Sequence, residues 1–105
     1  MSRTLYDDIG EQFVNQYAIS IGQMFGKPCL KINNKAFAVF FKDEMVFKLG
    51  QREIDLLKTH YSNSVNWDPS GKNRPMKDWL QISITDSNDW TKLAKQALHY
   101  VEGIN

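Results

Sequence analysis

One cysteine, Cys29, is all that 105 residues provide, so no intramolecular disulfide can form and the fold must rest on burial and hydrogen bonding. Two histidines, His60 and His99, are scattered with it over different expected elements, which is short of the three or four convergent ligands of a zinc site. No apolar run approaches the ~20 residues that cross a bilayer, and the N-terminal MSRTLYDDIG lacks the apolar region of a signal peptide. A lone thiol without a leader leads to the expectation of a reducing cytoplasm and no membrane. Charge of one sign is missing too: 13 Lys and Arg against 12 Asp and Glu give +1, no general pull towards nucleic acid or anionic lipid, though a local patch stays open. Repeats, low-complexity stretches and linkers are absent, so residues 1–105 read as one domain.

What is present is a run of β signals in the middle, flanked by helical ones. Leu30 and Ile32 alternate with Cys29, Lys31 and Asn33 as one strand, Asn33-Asn34-Lys35 suits a hairpin turn, and Ala36 to Phe41 is apolar throughout, as in a central strand covered on both faces. After a turn at Lys42-Asp43-Glu44, Met45, Phe47 and Leu49 alternate in a third strand that Gly50 ends, and such short connections force an antiparallel meander. Ahead of it, Ser2 can cap a helix with Leu5, Ile9, Phe13 and Tyr17 on one stripe. Ile19, Ile21 and Gly22 read as a connection, with Gly26-Lys27-Pro28 bending the start of the first strand. QREIDLLKTHY is a second helix, Val65 and Trp67 a brief fourth strand, and Asp68 to Pro75 a loop. Trp79 to Ile84 is the fifth strand, with Leu80, Ile82 and Ile84 inward and Gln81 and Ser83 outward. Asp86 or Ser87 can cap a last helix carrying Trp90, Leu93, Ala94, Ala97, Leu98 and Val101 at helical spacing, with Gly103 as its stop. The expected fold is therefore α+β, two-layer, with a five-stranded antiparallel sheet and helices on one face, in the order α-β-β-β-α-β-β-α.

Met24-Phe25-Gly26 with Pro28, Leu30-Lys31-Ile32, Lys35-Ala36-Phe37-Ala38, Lys48-Leu49, Trp67-Asp68-Pro69, Arg74-Pro75-Met76-Lys77 with Trp79, and Asp89-Trp90 followed by Leu93, Ala94 and Ala97 resemble the TfoX N-terminal-domain family, whose YjbR-like relatives share the pattern. The matching pieces span roughly residues 20 to 101. The resemblance implies a secretion-chaperone-like sheet packed by helices on one side, and a bacterial, regulatory role linked to competence and transcription. The expectation is of a stand-alone member, since the sequence to Asn105 does not include the second, helical domain of the full-length regulator.

The residues themselves supply little chemistry. Cys29 has no activating partner in sequence and reads as a small, partly buried thiol. There is no nucleophile elbow, and Gly71-Lys72-Asn73 lacks the Ser/Thr and the upstream glycine of a P-loop. Asp7-Asp8 and Asp86 to Asp89 fit helix-start charges better than an acid/base pair. No catalytic residue, metal ligand or cofactor is expected, and the leading reading is a non-enzymatic protein-interaction module.

Two surfaces invite a partner. If Phe37, Val39 and Phe41 face the helices, then Ala36, Ala38, Phe40, Val46 and Trp79 form an apolar far face, with Phe40, Val46 and Trp79 as the contact of a homodimer. Alternatively the long loop, or Ile104 and the chain end, folds over that face. The second surface is the loop DPSGKNRPMKDW, which gathers Lys72, Arg74 and Lys77 beside Trp67 and Trp79, a combination able to hold phosphates, single-stranded bases or an acidic peptide, unless the indole rings pack as sheet covering. Nucleic acid is thus the alternative partner, and a small molecule held between sheet and loop a third.

Overall fold

The computed structural model describes residues 2–103. The elements run α1 (Ser2–Gln16), β1 (Ile19–Met24), β2 (Lys27–Ile32), β3 (Lys35–Phe41), β4 (Glu44–Lys48), α2 (Gln51–His60), β5 (Val65–Asn66), β6 (Trp79–Ile82), a 3₁₀ segment (Ile84–Asp89) and α3 (Trp90–Gly103). The fold is α+β, and its strands make one antiparallel sheet in the order β1-β2-β3-β4-β6-β5. That is six strands where the sequence pattern implied five. The addition is β1, which pairs along its whole length with β2.

The first four strands are joined by two-residue turns at Phe25-Gly26, Asn33-Asn34 and Lys42-Asp43, and all six turn residues have positive φ, as type I′ hairpins demand. Asn supplies this conformation cheaply. Phe25, at φ 53, does not, which is why nothing in the sequence advertised the first hairpin. Pro28 sits just beyond the last Cys29↔Val39 pair of β2 with β3, so its missing N–H interrupts no ladder.

A β-bulge decides which side chains meet the helices. Leu30 pairs with Ala38 but Lys31 pairs with Ala36, so Phe37 is an extra residue in β3. Beyond it the facing is inverted. Strict alternation would have sent Val39 and Phe41 to the helices and Ala38 and Phe40 away from them. Instead Phe37, Ala38 and Phe40 join the core beneath the helices, with Leu30, Phe47, Leu80, Phe13 and Trp90, while Ala36, Val39 and Phe41 lie with Val46, Trp67 and Trp79 on the other face.

The helices follow their apolar spacing with two shifts. On α1 the buried side chains are Ser2, Tyr6, Ile9 and Phe13, not Leu5, which is 39% exposed. Tyr6 packs on Phe40 at 5.3 Å, the Arg3 guanidinium lies over both rings, and Ser2 Oγ donates to Asp43 Oδ1 instead of capping its own helix. β6 ends at Ile82, so Ile84 is not an inward strand residue but opens the 3₁₀ segment, half exposed; Ser83 Oγ caps that segment by accepting from Thr85 N. Neither Asp86 nor Ser87 is the cap, and α3 begins at Trp90. No helix among the described residues is long and apolar enough to cross a membrane.

Tyr61 ties the end of α2 to the residue before α3, its hydroxyl donating to Asp89 Oδ2 at 2.7 Å. Burial, and then the hydrogen bond and negative charge of Asp89, push the phenol from 10.0 up to about 12. A raised folded-state pKa contributes stability that is complete below the unfolded value and disappears as pH climbs through the folded one. Tyr61→Phe should therefore cost about 1.5–3 kcal/mol near neutral pH. In denaturant melts its gap from wild type should close between pH 10 and 12, the window set by that shift; a gap that stays constant there would show that the hydroxyl is not the stabilising group.

Candidate functional site

The segment between β5 and β6 is shaped from within by one carboxylate. Asp68 Oδ1 accepts from Ser70 Oγ at 2.6 Å and from Ser70 N and Gly71 N at 3.1 Å, and Oδ2 accepts from Arg74 N at 2.9 Å. The Ser70 hydroxyl, aided by these backbone N–H groups, holds the Asp68 carboxyl below its ordinary range. Met76 N donates to Trp67 O at 2.7 Å and Trp67 N to Trp79 O at 3.0 Å, so the loop returns flat against the sheet. Lys72, Arg74 and Lys77 are exposed on it, and among the described residues no ion pair engages them.

The indole rings face inward. Trp67 has no exposed surface and lies 5.5 Å from Trp79, 5.6 Å from Phe41 and 6.0 Å from Phe25, spanning the sheet face opposite the helices. With Met76 it seals Cys29, Val39, Phe41, Val46 and Trp79 from water. This overturns the expected contact surface: Phe40 belongs to the helix side against Tyr6, and Val46 and Trp79 are on the far face but buried beneath the loop. Ile104, the other proposed cover, lies outside the described residues. Neither tryptophan offers a face on which a base could stack. Burial also pushes the Cys29 thiol up, keeping it protonated.

No family model matches this chain, and no curated protein matches it. Its chemistry must be read from its own surface.

That surface is electrically lopsided despite the balanced total. Residues 17–50 and 64–83, which make the sheet and its loop, hold eight of the 13 basic side chains and four of the 12 acidic ones; the helical segments have the reverse excess. Several of the sheet's acids are engaged internally, Asp68 by the loop backbone, Glu44 by Gln81 Nε2 at 2.8 Å and Asp43 by Ser2. The cations are directed outward. Lys27 and Lys42 flank the Phe41 ring at 5.6 and 5.3 Å, and Lys48 and Lys77 share a shallow cleft of about 370 Å³ with Met76, Asp78 and Trp79. Lys27, Lys42 and the 62% exposed Phe25 were not singled out from sequence; only the hairpin register, which brings both turns to the end of the sheet near Trp67, puts them beside the loop.

A larger open cleft of about 530 Å³ lies where α2 begins, bounded by Gly50 to Glu53 and by Gln96, His99 and Tyr100 of α3. His99 is exposed there, with Nδ1 3.6 Å from Glu102 Oε1. The cleft holds no buried, unpartnered polar side chain and has only a helix start to offer. Among the described residues no three His, Cys, Asp or Glu side chains gather as a metal ion would need.

Proposed function

We propose that this domain is a non-catalytic interaction module whose Lys72–Lys77 loop docks an acidic segment of a protein partner, in the regulatory setting that the resemblance to TfoX N-terminal domains implies. The observation that carries the reading is the pairing of a loop whose path is fixed by Asp68 with three cations left free to recognise something else. A preformed loop loses little conformational entropy on binding, and surface cations of one sign speed the encounter with an acidic chain. A protein is favoured over single-stranded nucleic acid because Trp67 and Trp79 are buried, which removes the stacking half of base recognition.

The test is a titration with a glutamate-rich peptide and, separately, a thymidine oligonucleotide. The peptide should bind at low salt, weaken as salt rises, and lose at least about tenfold in affinity when Lys72, Arg74 and Lys77 all become alanine. Because all three side chains are exposed, the triple variant should melt within a few degrees of wild type. Oligonucleotide binding without peptide binding would replace this reading by the nucleic-acid one, and no binding of either at low salt would end both.

A further inference from the structure

The sheet has two edges, and they differ in kind. β5 is two residues long and gives little for another strand to pair with. β1 is six residues long, ISIGQM, and carries neither charge nor proline, the devices by which exposed edges usually resist pairing.

The register fixes which of its backbone groups are free. Met24↔Lys27 closes a two-residue turn and is a bonded pair, and bonded and non-bonded pairs then alternate back along the strand. Gly22 and Ser20 therefore point their N–H and C=O towards β2, while Gln23, Ile21 and Ile19 point theirs outward. Ile19 N donates to Tyr17 O at 2.9 Å, which leaves the central outward pair to Ile21 and Gln23. Ile21 is also 65% exposed, more than any other large apolar side chain among the described residues.

We propose that β1 is a self-association edge, on which two copies of the chain pair antiparallel about a two-fold axis at Ile21 to make one continuous sheet. This register keeps the outward groups in phase: Ile21 meets its own copy, and Ile19 and Gln23 meet each other twice, Ile19 through its carbonyl because its N–H is already given to Tyr17 O. It also brings the two exposed isoleucines together on one face of the sheet, where cross-strand apolar pairs stabilise. The charge pattern selects the occupant. Two copies of an uncharged strand set no like charges side by side along the paired backbones, and the one cation at the edge, the Lys31 side chain lying over Gly22, stands on β2, one strand back from the seam. β1 and the loop-bearing β5–β6 pair stand at opposite ends of the strand order, so this inference does not rest on the loop reading.

Sedimentation of the full chain from low micromolar to about 200 µM tests it. The wild-type mass should move from 12.2 kDa towards twice that value. Ile21→Lys, which sets two ammonium groups against each other across the axis, should weaken association by about tenfold or more. The Lys72, Arg74 and Lys77 triple alanine variant should associate like wild type. A wild-type chain monomeric throughout, or an Ile21→Lys chain that associates equally well, overturns the proposal. Amide exchange of the unmutated protein gives a readout that no folding defect can mimic: Ile21 and Gln23 should become protected as concentration rises, and fast exchange of both at the highest concentration overturns it as well.

Discussion

Replacing Gly50 by alanine should unfold this domain more readily than any other single methyl added to it. Gly50 has φ 83 and ψ 146, a region that residues with a Cβ scarcely occupy, and a Cβ built there would lie 2.8–2.9 Å from Cε1, Cζ and Oη of Tyr100. The backbone has little freedom to yield. Leu49 N and Gly50 N both donate to Asp78 O, at 3.0 and 3.3 Å, and Gly50 O accepts from Ile54 N to start α2. Dihedral strain and a displaced ring each cost about 1–3 kcal/mol, so Gly50→Ala should lose on the order of 3–5 kcal/mol in chemical denaturation. For a domain of this size that is a fall in Tm of more than about 12 °C. Adding Tyr100→Ala should recover the steric part and leave the dihedral part, which a double-mutant cycle separates. A single variant within about 1 kcal/mol of wild type would mean that the strand-to-helix joint is not built this way.

Trp67→Ala should have a comparable effect on stability and a distinct one on the surface. The ring is wholly buried and lies against Phe41, Trp79 and Phe25, so removing it should cost about 3–5 kcal/mol. It also takes the lid from Val39 and Val46, and the variant should bind a hydrophobic dye and aggregate where wild type does neither. Trp67→Phe should be milder than the loss of ring area suggests, because Trp67 Nε1 has no hydrogen-bonding partner among the described residues and phenylalanine removes that unpaired donor. Unchanged dye binding by the alanine variant would show that the loop shelters the sheet without its indole.

Much of this architecture was legible in the sequence because its apolar spacing is strong where burial is one-sided. α3 is the clearest case, with all six of its expected apolar positions buried. The failures have separate physical causes. β1 went unread because an edge strand buries so little: Ser20, Ile21 and Gln23 are all exposed, and Gly22 looks like a break. On α1, Leu5 stands four residues before Ile9 and Tyr6 three, so either fits a helical stripe through Ile9 and Phe13, and the choice of Tyr6 over Leu5 is made by Phe40, a partner far away in the chain. The bulge at Phe37 leaves no compositional trace in an all-apolar strand, yet it alone decides that Phe40 goes inward and Phe41 outward. The basic loop was visible as such because Pro, Ser, Gly and Asn exclude regular structure there. The fate of its tryptophans was not, since an indole beside lysines reads alike whether it faces water or a sheet.

Because the loop's course depends on an acid at its base, the scaffold and the recognition proposed for it are written in different residues. Among the described residues the side chains at positions 72, 74 and 77 enter neither a hydrogen bond nor an ion pair, so lysine and arginine there could be exchanged for glutamate and the same contour would present the opposite polarity. On the proposed reading, specificity would change by recolouring three points while the frame beneath them stays as it is.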